Sequence, residues 1–143
     1  MIEVRLAENE AERRTCLRLR WTVFVEEQNV PPSLEVDAHD WAGAVHALAL
    51  LDGVPAGTGR FVFVEPGTAR IGRMAVVEDA RGKGLGTALL RFLEAEARKR
   101  GANRFTLNAQ VSARRFYEGA GYQAIGPIFD DAAIAHVRMD RTA

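Results

Sequence analysis

The chain has 143 residues, 48% hydrophobic and 27% charged, which fits one globular domain with a real core and leaves little room for two. Lys plus Arg equals Asp plus Glu at 19 each, so no net field recommends nucleic acid or an anionic membrane as a partner. Cys16 stands alone, which excludes an intrachain disulfide and a cysteine-based zinc site. No apolar run approaches the roughly 18 residues of a membrane span. The opening MIEVRLAENEAERR turns charged at once, unlike a signal peptide. The expectation is one cytoplasmic domain over residues 1–143.

In chain order, Ile2, Val4 and Leu6 alternate with Glu3 and Arg5, which predicts a first strand. Asn9 and Glu12 form a capping-box pattern, and Leu17, Trp21 and Phe24, with Cys16, Leu19 and Val23 beside them, keep helical spacing to about Val25. EEQNVPPSLEVDAHDWAG has no period and reads as a long loop with at most one helical turn; loops that long in small domains are often functional. VHALALL and GTGRFVFVE follow as strands around Asp52-Gly53, a strong hairpin signal. Pro66-Gly67 turns the chain into a third strand, TARIGRMAVV. Leu85 to Arg100 reads as a helix with Ala88, Leu89, Phe92, Leu93 and Ala97 inward, ended by Gly101. RFTLNAQ is a strand and SARRFYEGAG a short helix opening at Ser112. A last hairpin, YQAIGPIF and AAIAHVRM, turns through Asp130-Asp131. This order predicts an α/β protein with a mixed sheet and helices on its faces.

Between the third strand and the long helix lies EDARGKGLGTALL, with Gly82, Gly84 and Gly86 at alternate positions. Glycines there cost backbone entropy. A tight strand-to-helix turn explains them, and so does a bound anion, because the first amides of a helix are unpaired and sit at its positive end. The Walker pattern fails, since Gly82-Lys83 is followed by Gly84 and position 77 is Val77. The dinucleotide fingerprint fails as well, with Thr87 or Leu89 where its last glycine belongs. A third pattern fits: an Arg, two residues, Gly, one residue, Gly, directly after a strand, supplied by Arg81, Gly84 and Gly86. With RIGRMAV before it and LNAQVSARRFYEGAGY after it, the chain resembles the GNAT N-acyltransferases. RWTVFVEEQNVP, EVDAHDW, GTGRF and the closing AHVRM are similar to the small ElaA/YjcF-type branch.

The resemblance implies an acyl-CoA N-acyltransferase fold, a single layer of mixed β-sheet with helices on both faces. It implies acetyl-CoA as co-substrate and no metal. The strand Arg73–Val77 is expected to bulge and splay from its neighbour, leaving the main chain of Met74, Ala75 and Val76 to pair with pantetheine. An amide near Val76 then polarises the thioester carbonyl. Arg81, Gly82, Lys83, Gly84, Leu85, Gly86 and Thr87 hold the pyrophosphate, with Arg114, Arg115 and Phe116 beside the coenzyme. Asn108 either meets the pantetheine amides or satisfies its own strand end. Tyr117 is the expected general acid for the leaving thiolate; without the family, a Phe-Tyr pair on a short helix also reads as core.

No single base position carries over. Glu26, Glu27, Asp37, Asp40 and His46 are the ionisable candidates for the acceptor pocket. His46 also reads as a packed strand histidine, and the carboxylates as solvated loop charges. Asp37, His39 and Asp40 are close in sequence, yet no second cluster matches them and no metal site is read. Arg60 and Arg73 lie inside apolar strands. Each is either an ion pair with Glu26, Asp37 or Asp40, or a bidentate partner for an acceptor carboxylate or phosphate. The leading reading is acetyl transfer to a primary amine of a small molecule or peptide, by direct attack in a ternary complex. The alternatives are a coenzyme A-binding sensor of the same fold and an interaction module using the basic stretch ARKRGANR. Monomer and homodimer both remain open.

Overall fold

The computed structural model describes residues 1–37, 40 and 43–142. The first alternating run forms β1 (Ile2–Leu6). Asn9 caps α1 (Glu10–Arg20), its Oδ1 accepting from the Glu12 amide at 2.8 Å. The return bond of the capping box goes elsewhere: Glu12 Oε1 accepts from Asn9 Nδ2 at 3.0 Å and from the Glu8 amide at 3.4 Å. Helical turns do not stop near Val25. They widen into a π-helix, Trp21–Glu27, where the Gln28 amide donates to the Val23 carbonyl at 3.1 Å. Each π turn takes up an extra residue and so re-aims the chain beyond it, which is why such turns gather at functional sites. The long loop holds one helical turn, α2 (Pro32–Glu35), with proline at its start.

Strands β2 (Val45–Leu51), β3 (Val54–Glu65) and β4 (Thr68–Val76) form an antiparallel meander. Then come α3 (Leu85–Lys99), β5 (Arg104–Gln110), α4 (Arg114–Gly119), β6 (Gln123–Asp131) and β7 (Ile134–Thr142). A tight 3₁₀ turn, Val111–Ala113, occupies the place expected for the start of α4. The last hairpin also departs from expectation. Asp130 and Asp131 lie within β6, and the turn is Ala132-Ala133, with φ of 51° and 63°. Upstream, a bulge between Ile125 and Phe129 shifts the pairing of β6, and Phe129 pairs with His136.

The seven strands make one mixed sheet, ordered β1-β2-β3-β4-β5-β7-β6, with only β4 and β5 parallel. On one face α3 buries Leu85, Leu89, Leu90 and Leu93 against Phe61, Ile71, Phe105 and Leu107. On the other, α1 sets Cys16 and Leu19 on Leu48 and Leu50. The long helix rides close to β3: a Cβ at Gly59 would lie 2.7 Å from Met74 Sδ and 2.8 Å from Leu93 Cδ1. No helix among the described residues is long and apolar enough to cross a membrane.

Two irregularities in this sheet create the site. Opposite β3, the pairing steps from Arg60↔Gly72 to Thr58↔Ala75, so Arg73 and Met74 together face Gly59, and Arg73 takes φ 53°. Opposite β5, pairing runs from Thr68↔Arg104 to Ile71↔Leu107 and then stops. Beyond that point β4 bends away while β5 stays with β7 as far as Gln110. A gap opens between them.

Candidate active site

The gap leads into a cavity of about 650 Å³, a usual size for a small-molecule site. Its walls are residues 72–76 of β4, 107–110 of β5, Phe116 and Tyr117 of α4, and Phe24, Glu27 and Gln28 of the π-helix and its end. The glycine turn closes one end. Gly82 and Gly84 adopt φ of 76° and 92°, a region costing a residue with a Cβ about 1–2 kcal/mol. Gly84 is the N-cap of α3 and brings no side chain to cap it. The helical ladder starts only with the Ala88 amide, which donates to the Gly84 carbonyl at 3.1 Å. Among the described residues, nothing accepts from the amides of residues 82–87. These donors sit at the positive end of the α3 dipole, and an anion is what they fit. Gly86 serves a different need, since a Cβ there would lie 3.3 Å from Phe116 Cζ.

Arg81 is turned toward the π-helix. Its Nη1 and Nη2 donate to the two Glu27 oxygens at 2.7 and 2.6 Å, and its Nε to the Val76 carbonyl at 3.0 Å. Hydrogen bonds from Arg81 hold the Glu27 carboxyl below the usual carboxylate range. On the opposite wall Gln110 Nε2 donates to Gln28 Oε1 at 2.8 Å. The end of the π-helix therefore ties to both sides of the gap.

Tyr117 is 8% exposed and packs edge-on against Phe116 and Tyr122, with ring centroids 5.0 and 6.0 Å apart. Its hydroxyl has no hydrogen-bond partner among the described residues. Burial pushes its pKa up to about 12, so it keeps its proton at any working pH.

Behind the acceptor side lies a buried ion network. Arg20, 1% exposed, donates to the Glu35 carboxylate and carbonyl and to both Asp40 oxygens. Arg60 donates to both Asp37 oxygens at 2.7 Å and to Asp40 Oδ1 at 2.8 Å. Arg73 donates from Nε to the Glu35 carbonyl at 2.9 Å and from Nη2 to Asp37 Oδ2 at 3.4 Å. Burial acts to raise the Asp40 pKa, but hydrogen bonds from Arg20 and the Asp37 amide, with the Arg20 and Arg60 charges, bring it down to about 2. The network holds α2 and the loop after it against β3 and β4.

The gap between β4 and β5 opens beside the helix-start anion site, and the sequence comparison supplies the family that carries them. The model of the acetyltransferase (GNAT) domain matches residues 12–143. The chain belongs to the GNAT acetyltransferases. This GNAT enzyme is 35% identical over 136 residues to the uncharacterized N-acetyltransferase YjcF of Bacillus subtilis, across 94% of this chain and 95% of that one. Its fold matches Escherichia coli ElaA with a TM-score of 0.86 and 26% identity, over 99% of each chain. An acyl-CoA N-acyltransferase from Pseudomonas aeruginosa matches at 0.83 and 31% identity, again over 99% of each. The chain lies in the ElaA/YjcF-type branch.

Within this GNAT site the cavity gathers Met74, Ala75, Val76, Arg81, Gly82, Gly84, Leu85, Gly86, Thr87, Asn108, Phe116 and Tyr117, together with Glu27 and Arg73. Lys83 and Arg115 lie outside its lining. The front-half base candidates need correcting in position. Glu26 is exposed and does not line the cavity. Asp37, Asp40 and Arg60 do not line it either, because they bond one another in the ion network; the expected partner Glu26 takes no part. His46 is buried on β2 beside a second hollow shared with Arg13, Arg14 and Leu17, its Nε2 3.9 Å from Asp40 Oδ1. Burial, with the Arg20 and Arg60 charges, pushes its pKa down against the pull of Asp40. His39 falls outside the described residues. Among the described residues no group of three or more His, Cys, Asp or Glu is placed to hold a metal ion.

Sequence pattern alone does not single out Arg20, Glu35, Gln28, Gln110 or His136. A signal exists for Arg20: with Cys16 and Val23 it keeps the helical spacing of the buried face, where an arginine demands partners. For Gln110 and His136 there is none, since they meet only across two strands.

Proposed function

We propose that this single domain transfers an acetyl group from acetyl-CoA to a primary amine of a small molecule or peptide, by direct attack in a ternary complex. The observation that supports this most is the row of unpaired amides at residues 82–87 opening onto the gap between β4 and β5. The pyrophosphate takes those amides. The pantetheine lies along Met74, Ala75 and Val76, whose outer edge has no strand partner past Ile71 among the described residues, and Asn108 meets its amides from the other wall. A main-chain amide near Val76 polarises the thioester carbonyl, and Tyr117 protonates the departing thiolate. Glu27 and Arg73 face the acceptor. The name of the Pseudomonas aeruginosa relative, an acyl-CoA N-acyltransferase, supports the choice of donor.

The harder half of the reaction is the amine. A lysine-like amine has a free pKa of about 10.4, so its neutral form costs roughly 4–5 kcal/mol near pH 7. A panel of primary amines with acetyl-CoA, read by thiol release, tests the proposal. Release is expected only when an amine is present, with initial-rate lines that intersect as both substrates vary. Release with no amine in the panel above the amine-free blank would contradict transfer and leave a coenzyme-binding sensor.

A further inference from the structure

Resting on that reading, we infer that His136 is the general base that strips the acceptor ammonium. His136 is the direct cross-strand partner of Gln110, so the two side chains leave the same face of the sheet. Their neighbours Ala109 and Val137 are each 2% exposed and lie in the core beneath α3. Gln110 and His136 therefore face the other way, toward the π-helix, and Gln28 meets Gln110 there. Both line the cavity, three residues past the point where β4 leaves β5. Tyr117 belongs to the α3-side core. Acid and base thus approach the gap from opposite faces of the sheet.

The imidazole is held for this task. Its Nδ1 lies 2.7 Å from the Ile134 carbonyl, which can only accept, so Nδ1 carries the proton. The lone pair of the neutral ring is then on Nε2, which has no hydrogen-bond partner among the described residues. Phe129 stacks on the ring at 5.9 Å and 24°, fixing its plane. The carboxylates lining the cavity suit the role less well. Both Glu27 oxygens are taken by Arg81, and Glu35 is buried against Arg20. Asp131 stands at the exposed end of the same hairpin as His136. The lining cations are Arg70, Arg73 and Arg81, and the last two already bond Asp37, Glu35 or Glu27.

The proton balance closes. Nε2 takes one proton from R–NH₃⁺, and the freed lone pair forms the N–C bond as the carbonyl π pair moves to oxygen. Collapse of the adduct breaks C–S, and the thiolate takes the Tyr117 proton. The tyrosinate takes the second nitrogen proton, and the imidazolium returns its own to water. The sum is acetyl-S-CoA plus R–NH₃⁺ giving acetyl-NH–R, HS-CoA and H⁺.

The test compares wild type, His136→Gln and His136→Ala with one amine found active in the panel, following kcat/KM from neutral to alkaline pH and acetyl-CoA binding by calorimetry. Both variants are expected to bind acetyl-CoA as wild type does and to lose about 10²-fold in kcat/KM near pH 7. The loss should shrink toward the amine's own pKa, where the neutral amine no longer needs a base, and added imidazole should partly restore His136→Ala. Wild-type kinetics in both variants would overturn the assignment, as would a loss that is constant with pH and indifferent to imidazole. A wild type inert toward every amine overturns the transferase reading together with this one.

Discussion

Tyr117→Phe is expected to lower kcat about 10²-fold while leaving acetyl-CoA affinity unchanged. The hydroxyl bonds no described residue, and the ring's edge contacts with Phe116 and Tyr122 survive the change, so stability should hold within about 0.5 kcal/mol. A thiolate leaving without a proton donor is what the variant lacks. Because burial lifts this phenol to about 12, the wild-type rate should show no alkaline loss from Tyr117 below about pH 11. Steady-state kinetics beside thermal melting separates the roles. A lower melting temperature with unchanged kcat would make Tyr117 a core residue and nothing more.

Breaking the buried network should give the largest effect on stability. Asp40→Ala leaves Arg20 and Arg60 in the interior with part of their neutralising charge gone. Removing one partner of such a set costs roughly 3–5 kcal/mol, a large share of the roughly 5–15 kcal/mol typical of a domain. The melting temperature should fall by about 10 °C, against almost nothing for the exposed Glu26→Ala. The same carboxylate sets an acid limit. Its folded pKa, about 2, lies below the ordinary value of about 3.9, so the stability it adds is present above about pH 4. That stability, about 2 kcal/mol, is lost as pH falls from roughly 4 toward 2. His46, kept neutral by burial, works in the same direction from its ordinary value of about 6.5 downward. Melting curves across this range in wild type and Asp40→Ala check both points. Equal acid sensitivity in the two proteins would contradict the assignment to Asp40.

How much is legible in the sequence depends on the range of the interactions. Strands β2, β3 and β4, α3 and the glycine turn rest on local pattern and turn chemistry, and they lie close to where residues 45–101 alone predict them. The glycines have separate reasons, conformation at 82 and 84 and room for Phe116 at 86, which no spacing rule divides. The Ala132-Ala133 turn escapes a sequence reading because alanine is a poor residue for positive φ, whereas Asp130-Asp131 carries the usual turn chemistry. The π-helix escapes because its first residues keep ordinary helical spacing until the turn widens. At the site, Arg60 announces a need for partners by lying in an apolar strand, and Asp37 and Asp40 supply them. His136 carries no such mark. Its importance comes from facing Gln110 across β5 and β7, a contact made by the folded sheet and by nothing nearby in the chain.

The whole mechanism depends on the turn at residues 82–87 gripping the coenzyme's pyrophosphate. Calorimetric titration of the folded protein with acetyl-CoA, beside a Gly84→Glu variant whose fold is verified by circular dichroism, tests it most directly. Stoichiometric binding by wild type, lost when a carboxylate is set at the N-cap of α3, is the predicted result. Equal binding by both proteins, or none by a folded wild type, would contradict it.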